Sequence, residues 1–236
     1  MLEDRLRQII SKHLSGVADF KPYKKFKGVS DREGFIKLVG EDPAFAPFYL
    51  NNEKYVTARI GGNSVTSLHR KLGALYEETF KTLLAERLGV KADDLNFSVG
   101  LDVRGKEQKR STDGLIRYDL LRPKDYKRIS ALRRQEASGM AFEVRSCYQI
   151  GDSKRIQADG HMALELQRLN IEPVMLIFCN SSLVSPVKRL SKSWSLYAGR
   201  DAFDAVTVIT DFDLYRFLQD QAPMIQKFIN RIFDKF

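Results

Sequence analysis

At 236 residues with 43% hydrophobic content, the chain can bury one elaborated core, and none of its apolar runs approaches the roughly 20 residues of a membrane span. The acid-bearing start MLEDRLRQII lacks a signal-peptide core, so the expectation is a soluble cytoplasmic protein with no membrane partner. A net charge of +9 provides a field that attracts polyanions, while two cysteines and three scattered histidines offer no zinc cluster of recognisable spacing.

Leu2, Leu6, Ile9, Ile10 and Leu14 recur at helical spacing, so residues 2–17 form an amphipathic packing helix. Phe20-Lys21-Pro22-Tyr23-Lys24-Lys25-Phe26-Lys27-Gly28 interleaves lysines with rings. It reads equally as an arm that grips phosphates, with Lys24 and Lys25 at its centre, or as a surface loop pinned by its aromatics. Ser30-Asp31-Arg32-Glu33 has the capping-box arrangement that starts a short helix, and Pro43 and Pro47 break the chain beyond that helix. Residues 55–60 read as a short strand closed by Gly61-Gly62. Asn63 or Ser64 then caps a long helix to about Leu88, with Val65, Leu68, Leu72, Tyr76, Phe80, Leu83 and Leu84 inward and Gly89 as its stop.

Residues 95–103 alternate as a first strand, 105–110 form a basic turn, and 114–121 form a second strand. Residues 122–134 read as an inserted helix carrying Arg122, Lys124, Lys127, Arg128, Arg133 and Arg134 against Asp125 alone. Such a run ordinarily marks a solvated face, but the shortage of counter-charge also suits a surface for phosphates. Residues 140–148 make a third strand, Gly151-Asp152-Ser153 turns into a helix ending at Leu169, and 174–179 is the apolar run of a strand covered on both faces. Strand, helix, strand at this spacing predicts a parallel crossover. Cys147 and Cys179 fall on these two strands, where thiols act as small hydrophobes. Several helices come after them, the last with Met224, Ile225, Phe228, Ile229, Ile232 and Phe233 as its stripe.

Side chains alternate along the third strand, so Phe142 and Val144 face one way and Glu143 and Arg145 the other. An acid and a cation on one face of a central strand fit a structural salt bridge. They also fit phosphodiester hydrolysis, in which carboxylates hold a hard divalent cation and a nearby positive charge orients the phosphate. Asp113, at the mouth of the neighbouring strand, would complete a metal-binding pair with Glu143.

Asp113 followed by Glu143-Val144-Arg145, with a helix before the first strand and a strand–helix–strand unit at the end, resembles the core of the PD-(D/E)XK nuclease superfamily across roughly residues 64–179. Arginine stands where the family has lysine. The resemblance implies an α/β, restriction-endonuclease-like fold: a central mixed β-sheet flanked by helices, with additional N- and C-terminal helices. A single domain is expected, with a helical, basic arm over 1–62, a catalytic core over 63–180 and a helical region over 181–236. The implied activity is that of a type II restriction endonuclease, with Mg2+ or Mn2+ at Asp113 and Glu143, double-stranded DNA as partner and a homodimeric assembly.

The family's glutamate on the helix before the first strand falls on Glu77, with Glu78 as the near alternative. Arginine stays protonated, so Arg145 would bind phosphate and stabilise charge, and the missing lysine's place falls to Arg145 itself or to Lys154 in the following helix. Candidate DNA contacts are Lys24, Lys25, Lys109, Arg110, Lys127, Arg128, Arg133, Arg134 and Arg155. The alternative reading is a nucleic-acid-binding protein that kept the fold and lost catalysis, for which the arginine at 145 is the motive.

Overall fold

The computed structural model describes the chain apart from residues 24–25, 104–105, 149–152 and 235–236, with backbone alone at 102–103, 106–107 and 153. Its helices are α1 Leu2–Ala18, α2 Arg32–Glu41, α3 Glu53–Leu83, α4 Ala92–Leu95, α5 Pro123–Ile129, α6 Ser153–Arg168, α7 Val184–Leu190, α8 Arg200–Thr210, α9 Leu214–Asp220 and α10 Ala222–Phe233. The strands are β1 Ser98–Val103, β2 Lys106–Ser111, β3 Leu115–Arg117, β4 Gly139–Arg145, β5 Ile171–Ile177 and β6 Ser195–Ala198. The architecture is mixed α/β, with a small mixed sheet and flanking helices. Among the described residues no helix is long and apolar enough to cross a membrane.

By packing, the chain forms two compact units, one of Met1–Ile9 with Gly73–Asp220 and the other of Ile10–Leu72 with Gln221–Phe236. In the second unit, Asp31 caps α2 by accepting from the Gly34 amide at 2.8 Å, and Phe35 and Val39 of α2 pack with Val56 and Ile60. Those two residues are not on a strand, as expected at 55–60, but on the first turns of α3. Asn52 starts this helix by accepting from the Tyr55 amide at 3.0 Å, and the helix then runs through Gly61-Gly62. Two interior glycines cost about 1 kcal/mol each, and burial of Val56 and Ile60, four residues apart on one helix face, offsets that cost.

The first unit carries the sheet. Its strand order is β3-β4-β5-β6, with β3 antiparallel to β4 and the other pairs parallel, as the β4–α6–β5 crossover requires. Phe80 of α3 meets Phe142 edge-on at 5.0 Å, while Tyr76 stacks on Phe178 at 4.2 Å beneath Phe203 of α8. A second apolar cluster holds Ala141, Met175 and Ile177 together with Met162, Ala163 and Leu166 of α6, and also contains Val99 and Leu101 of β1.

Other expectations shift as well. The basic turn at 105–110 is the strand β2, paired antiparallel with β1 as a separate two-stranded sheet. Its sequence KEQKRS hid it, because it has no apolar alternation. The expected strand 114–121 shortens to β3 and then tightens into a 3-10 turn at Tyr118–Leu120; the expected helix over 122–134 is α5 and a 3-10 turn at Ser130–Leu132. The short β6 lies where the sequence suggests only helices. Cys147 and Cys179 are half-buried free thiols.

Just before β3, two residues oppose one. The Asp113 amide donates to the Phe142 carbonyl at 2.7 Å, and the Phe142 amide donates to the Gly114 carbonyl at 2.8 Å. This is the geometry of a β-bulge, which bends a strand and re-aims a side chain. Gly114 has φ +145, and a Cβ there would stand 2.6 Å from Leu84 Cδ1, so both the backbone and the packing demand glycine. Gly114→Ala is therefore expected to cost about 2–4 kcal/mol in urea unfolding. Gly61→Ala, in open space inside α3, should instead stabilise by about 0.5–1 kcal/mol. Equal effects at the two positions would contradict this account of the bulge.

Candidate functional site

The bulge delivers Asp113 to the flank of β4. Its buried carboxylate accepts from the Val144 amide through Oδ2 at 2.8 Å, while Oδ1 faces Lys81 Nζ at 3.9 Å. Strand alternation sends Phe142 toward Phe80, and Glu143 and Arg145 to the opposite face. Glu143 is buried and ion-paired with Arg145 through Nη2, and Arg145 Nη1 donates to the Val144 carbonyl at 3.1 Å. The same Nη2 lies 3.9 Å from Asp159 of α6, and the Arg145 Nε is buried with no hydrogen-bond partner among the described residues.

Glu77 and Lys81 project from one face of α3, four residues apart. Lys81 donates to Glu77 Oε1 at 2.7 Å and to Asn96 Oδ1 at 3.2 Å. Of the adjacent Glu77 and Glu78, Glu77 is the one that acts on Asp113 electrostatically. Four carboxylates, Glu77, Asp113, Glu143 and Asp159, thus share one neighbourhood with Lys81 and Arg145.

Burial pushes Asp113 up to about 6, and Glu77 adds to it; the Val144 amide, Arg145 and Lys81 act the other way. Glu143 is also held above the ordinary carboxylate range, first by burial, with Arg145 opposing and Asp113 and Asp159 reinforcing. For Arg145, burial works against its charge, but Glu143, Tyr148, Asp159 and Asp113 more than offset that, so it stays protonated. Burial raises both carboxylates and Asp113 adds to the rise at Glu143, a strain that a cation held by the two would relieve. Their donor chemistry suits Mg2+ or Mn2+, hard ions that Mg2+-type sites hold through one or two carboxylates and water. Among the described residues no three His, Cys, Asp or Glu side chains form a group that could hold a metal ion.

The other expected residues are dispersed. Lys154 and Arg155 are exposed in the first turn of α6, with Arg155 near enough to Glu143 to favour its charged form. Lys109 is exposed on β2, and Arg110 beside it reaches Asp159 at 3.9 Å. Lys24 and Lys25 lie outside the described residues.

The basic run at 122–134 has partners beyond Asp125 that the sequence did not reveal. Arg128 donates to the carbonyls of Val208 at 2.7 Å and Ile209 at 3.1 Å, and Arg87 to those of Thr210 and Asp211. These are the last carbonyls of α8, which have no partner within their own helix. Asp125, buried, pairs with both Arg122 and Arg128. Arg133 lies over the Tyr118 ring and donates to the Tyr126 hydroxyl, and Arg134 lies over Tyr197. Lys127 remains exposed to solvent. The arginines of this segment therefore hold a helix end and pack on aromatic rings.

Sequence reasoning missed Lys81 and Asp159. The i,i+4 spacing of Glu77 and Lys81 was the available signal for the first. Asp159 carried none, because its partners Tyr148, Arg110 and Arg145 come from separate elements. No family model, curated protein or solved structure matches this chain.

The raised Asp113 has a sign that can be measured. The fold favours its protonated form, so its contribution to stability is full below about pH 4 and is lost as pH rises through about 6. Asp113→Asn should therefore stabilise the cation-free protein at pH 8 by about 2 kcal/mol, a gap that closes toward pH 4. Urea titrations in EDTA across this range check it. A variant less stable than wild type at pH 8 would remove the strained carboxylate from the account.

Proposed function

We propose that this chain is a metal-dependent endonuclease that hydrolyses phosphodiester bonds of double-stranded DNA, most simply as a site-specific enzyme of the type II restriction kind. The observation that carries the reading is the two buried carboxylates Asp113 and Glu143, both raised by burial, with Lys81 beside the first and Arg145 beside the second. Mg2+ or Mn2+ held by Asp113 and Glu143 would supply charge neutralisation at the phosphate and acidify a water molecule. The protein's own groups do the rest. Asp113 is locked by the Val144 amide, so one carboxylate oxygen is fixed and the other stays on the Lys81 side. Lys81, steadied by Glu77 and Asn96, sets a positive charge next to the acidic pair without consuming either member. This makes Lys81 a better candidate than exposed Lys154 for the lysine that position 145 lacks. Arg145 cannot act as a base and would neutralise charge building on the phosphate. A homodimer would bring one such site to each strand.

A second reading, a DNA-binding protein without catalysis, is favoured by one contact: Glu143 already has a cationic partner in Arg145. Incubation of supercoiled plasmid with and without Mg2+ separates the two. Discrete fragments that require Mg2+ and vanish in Asp113→Asn are expected, and retardation without cutting would establish the second reading. In the same assay Lys81→Ala should slow cutting by about 10²-fold or more, while Lys154→Ala should cut nearly as wild type. The reverse ranking would return the lysine's role to α6.

A further inference from the structure

Asp159 is a buried carboxylate in the middle of α6, and its two oxygens are used differently. Oδ2 accepts from the Tyr148 hydroxyl at 2.6 Å, and the backbone carbonyl of the same residue accepts from Trp194 Nε1 at 3.0 Å, so the residue is tied at both ends. Burial, followed by Asp159 itself, pushes the Tyr148 hydroxyl above its ordinary range, which keeps it a donor. Oδ1 instead faces two guanidinium groups, Arg110 Nη1 of β2 and Arg145 Nη2 of β4, each at 3.9 Å. That distance is too long for a hydrogen bond, so both groups are attracted without being saturated. The side chains are layered: Asp159 is 4% exposed, Arg145 20% and Arg110 36%, so the carboxylate lies beneath and the cations nearer solvent. A pair whose sole work was to brace the fold would close to a charge-assisted bond of about 2.8 Å. Here one fixed anion faces two arginines from different sheets, of which Arg145 is also held by Glu143 and the Val144 carbonyl.

We infer that Asp159 is a positioning residue that holds Arg110 and Arg145 together as a two-arginine seat for a DNA phosphate next to the Asp113–Glu143 pair. The inference rests on the nucleic-acid part of the proposed function and not on its hydrolytic part. Guanidinium pairs suit phosphate because their planar forks match its oxygens, and a seat built on one buried anion keeps two like charges adjacent that would otherwise repel. Tyr148 and Trp194 then serve the site indirectly, by fixing the anion.

The test turns on a sign. If Asp159 merely neutralises the arginines, Asp159→Asn makes the surface more positive and must tighten duplex binding. If it positions them, the same variant must weaken binding despite the added charge. The measurement is fluorescence anisotropy of a labelled DNA duplex against wild type, Asp159→Asn and Arg110→Ala, in EDTA so that nothing is cut, over a series of salt concentrations. The expected results are a loss of affinity of about five-fold or more in Asp159→Asn, and a salt slope lower by about 0.9 in Arg110→Ala. Equal or tighter binding by Asp159→Asn, an unchanged slope in Arg110→Ala, or no duplex binding by wild type would each overturn the seat. Should Asp159→Asn not fold, Tyr148→Phe retains the charge and removes only the anchor; weaker binding is again expected, and unchanged binding overturns the proposal. Wild type that shows this pattern yet never cuts plasmid with Mg2+ would leave the seat standing and sink the hydrolytic reading.

Discussion

The hydrogen bond from the Val144 amide to the Asp113 carboxylate is the contact on which the site depends. It exists because two residues, Asp113 and Gly114, occupy the strand space opposite Phe142, and because glycine alone accepts both the backbone angle and the closeness of Leu84. Without that bulge, the register of β3 on β4 would set Asp113 directly opposite Glu143 and away from the Val144 amide. With it, a carboxylate from one strand is fixed beside a second, Glu143, on the next. Every other group of the site is arranged in answer to these two anions.

The arrangement is costly to the fold. Two acids are taken out of water with other carboxylates near them, Glu77 acting on Asp113 and Asp113 and Asp159 on Glu143, and the cations nearby only partly compensate. If these residues hold a cation, stability and binding pull on the same side chains. The same pressure explains the division of the arginines. Those of the 122–134 segment are spent on the C-terminal carbonyls of α8 and on tyrosine rings, whereas Arg110 and Arg145 converge on one buried aspartate. Charge counted along the chain could not distinguish these uses, because the partners of the first group are backbone atoms and rings about 80 residues away or on other elements.

Periodicity made α1, α6 and the parallel β4–β5 pair legible, because each buries a face whose spacing is written in consecutive residues. Asp113, Glu143, Arg145 and Glu77 were singled out in the sequence, and the structure links them electrostatically. The continuity of α3 was not, since two glycines look like punctuation until Val56 and Ile60 are seen to pack against α2. Nor was β2, whose polar side chains obey pairing with β1 and no hydrophobic pattern. Lys81 and Asp159 belong to the site through contacts between separate elements, which local spacing does not encode.

The central claim is that Asp113 and Glu143 form a seat for a divalent cation, and Mn2+ bound in solution can be counted directly by electron paramagnetic resonance. At pH 8 the account predicts one tightly bound Mn2+ per chain, an affinity that falls as the pH drops through about 6 and Asp113 takes a proton, and loss of binding in Glu143→Gln. Absence of bound Mn2+ at pH 8, or the same binding in Glu143→Gln as in wild type, would contradict it.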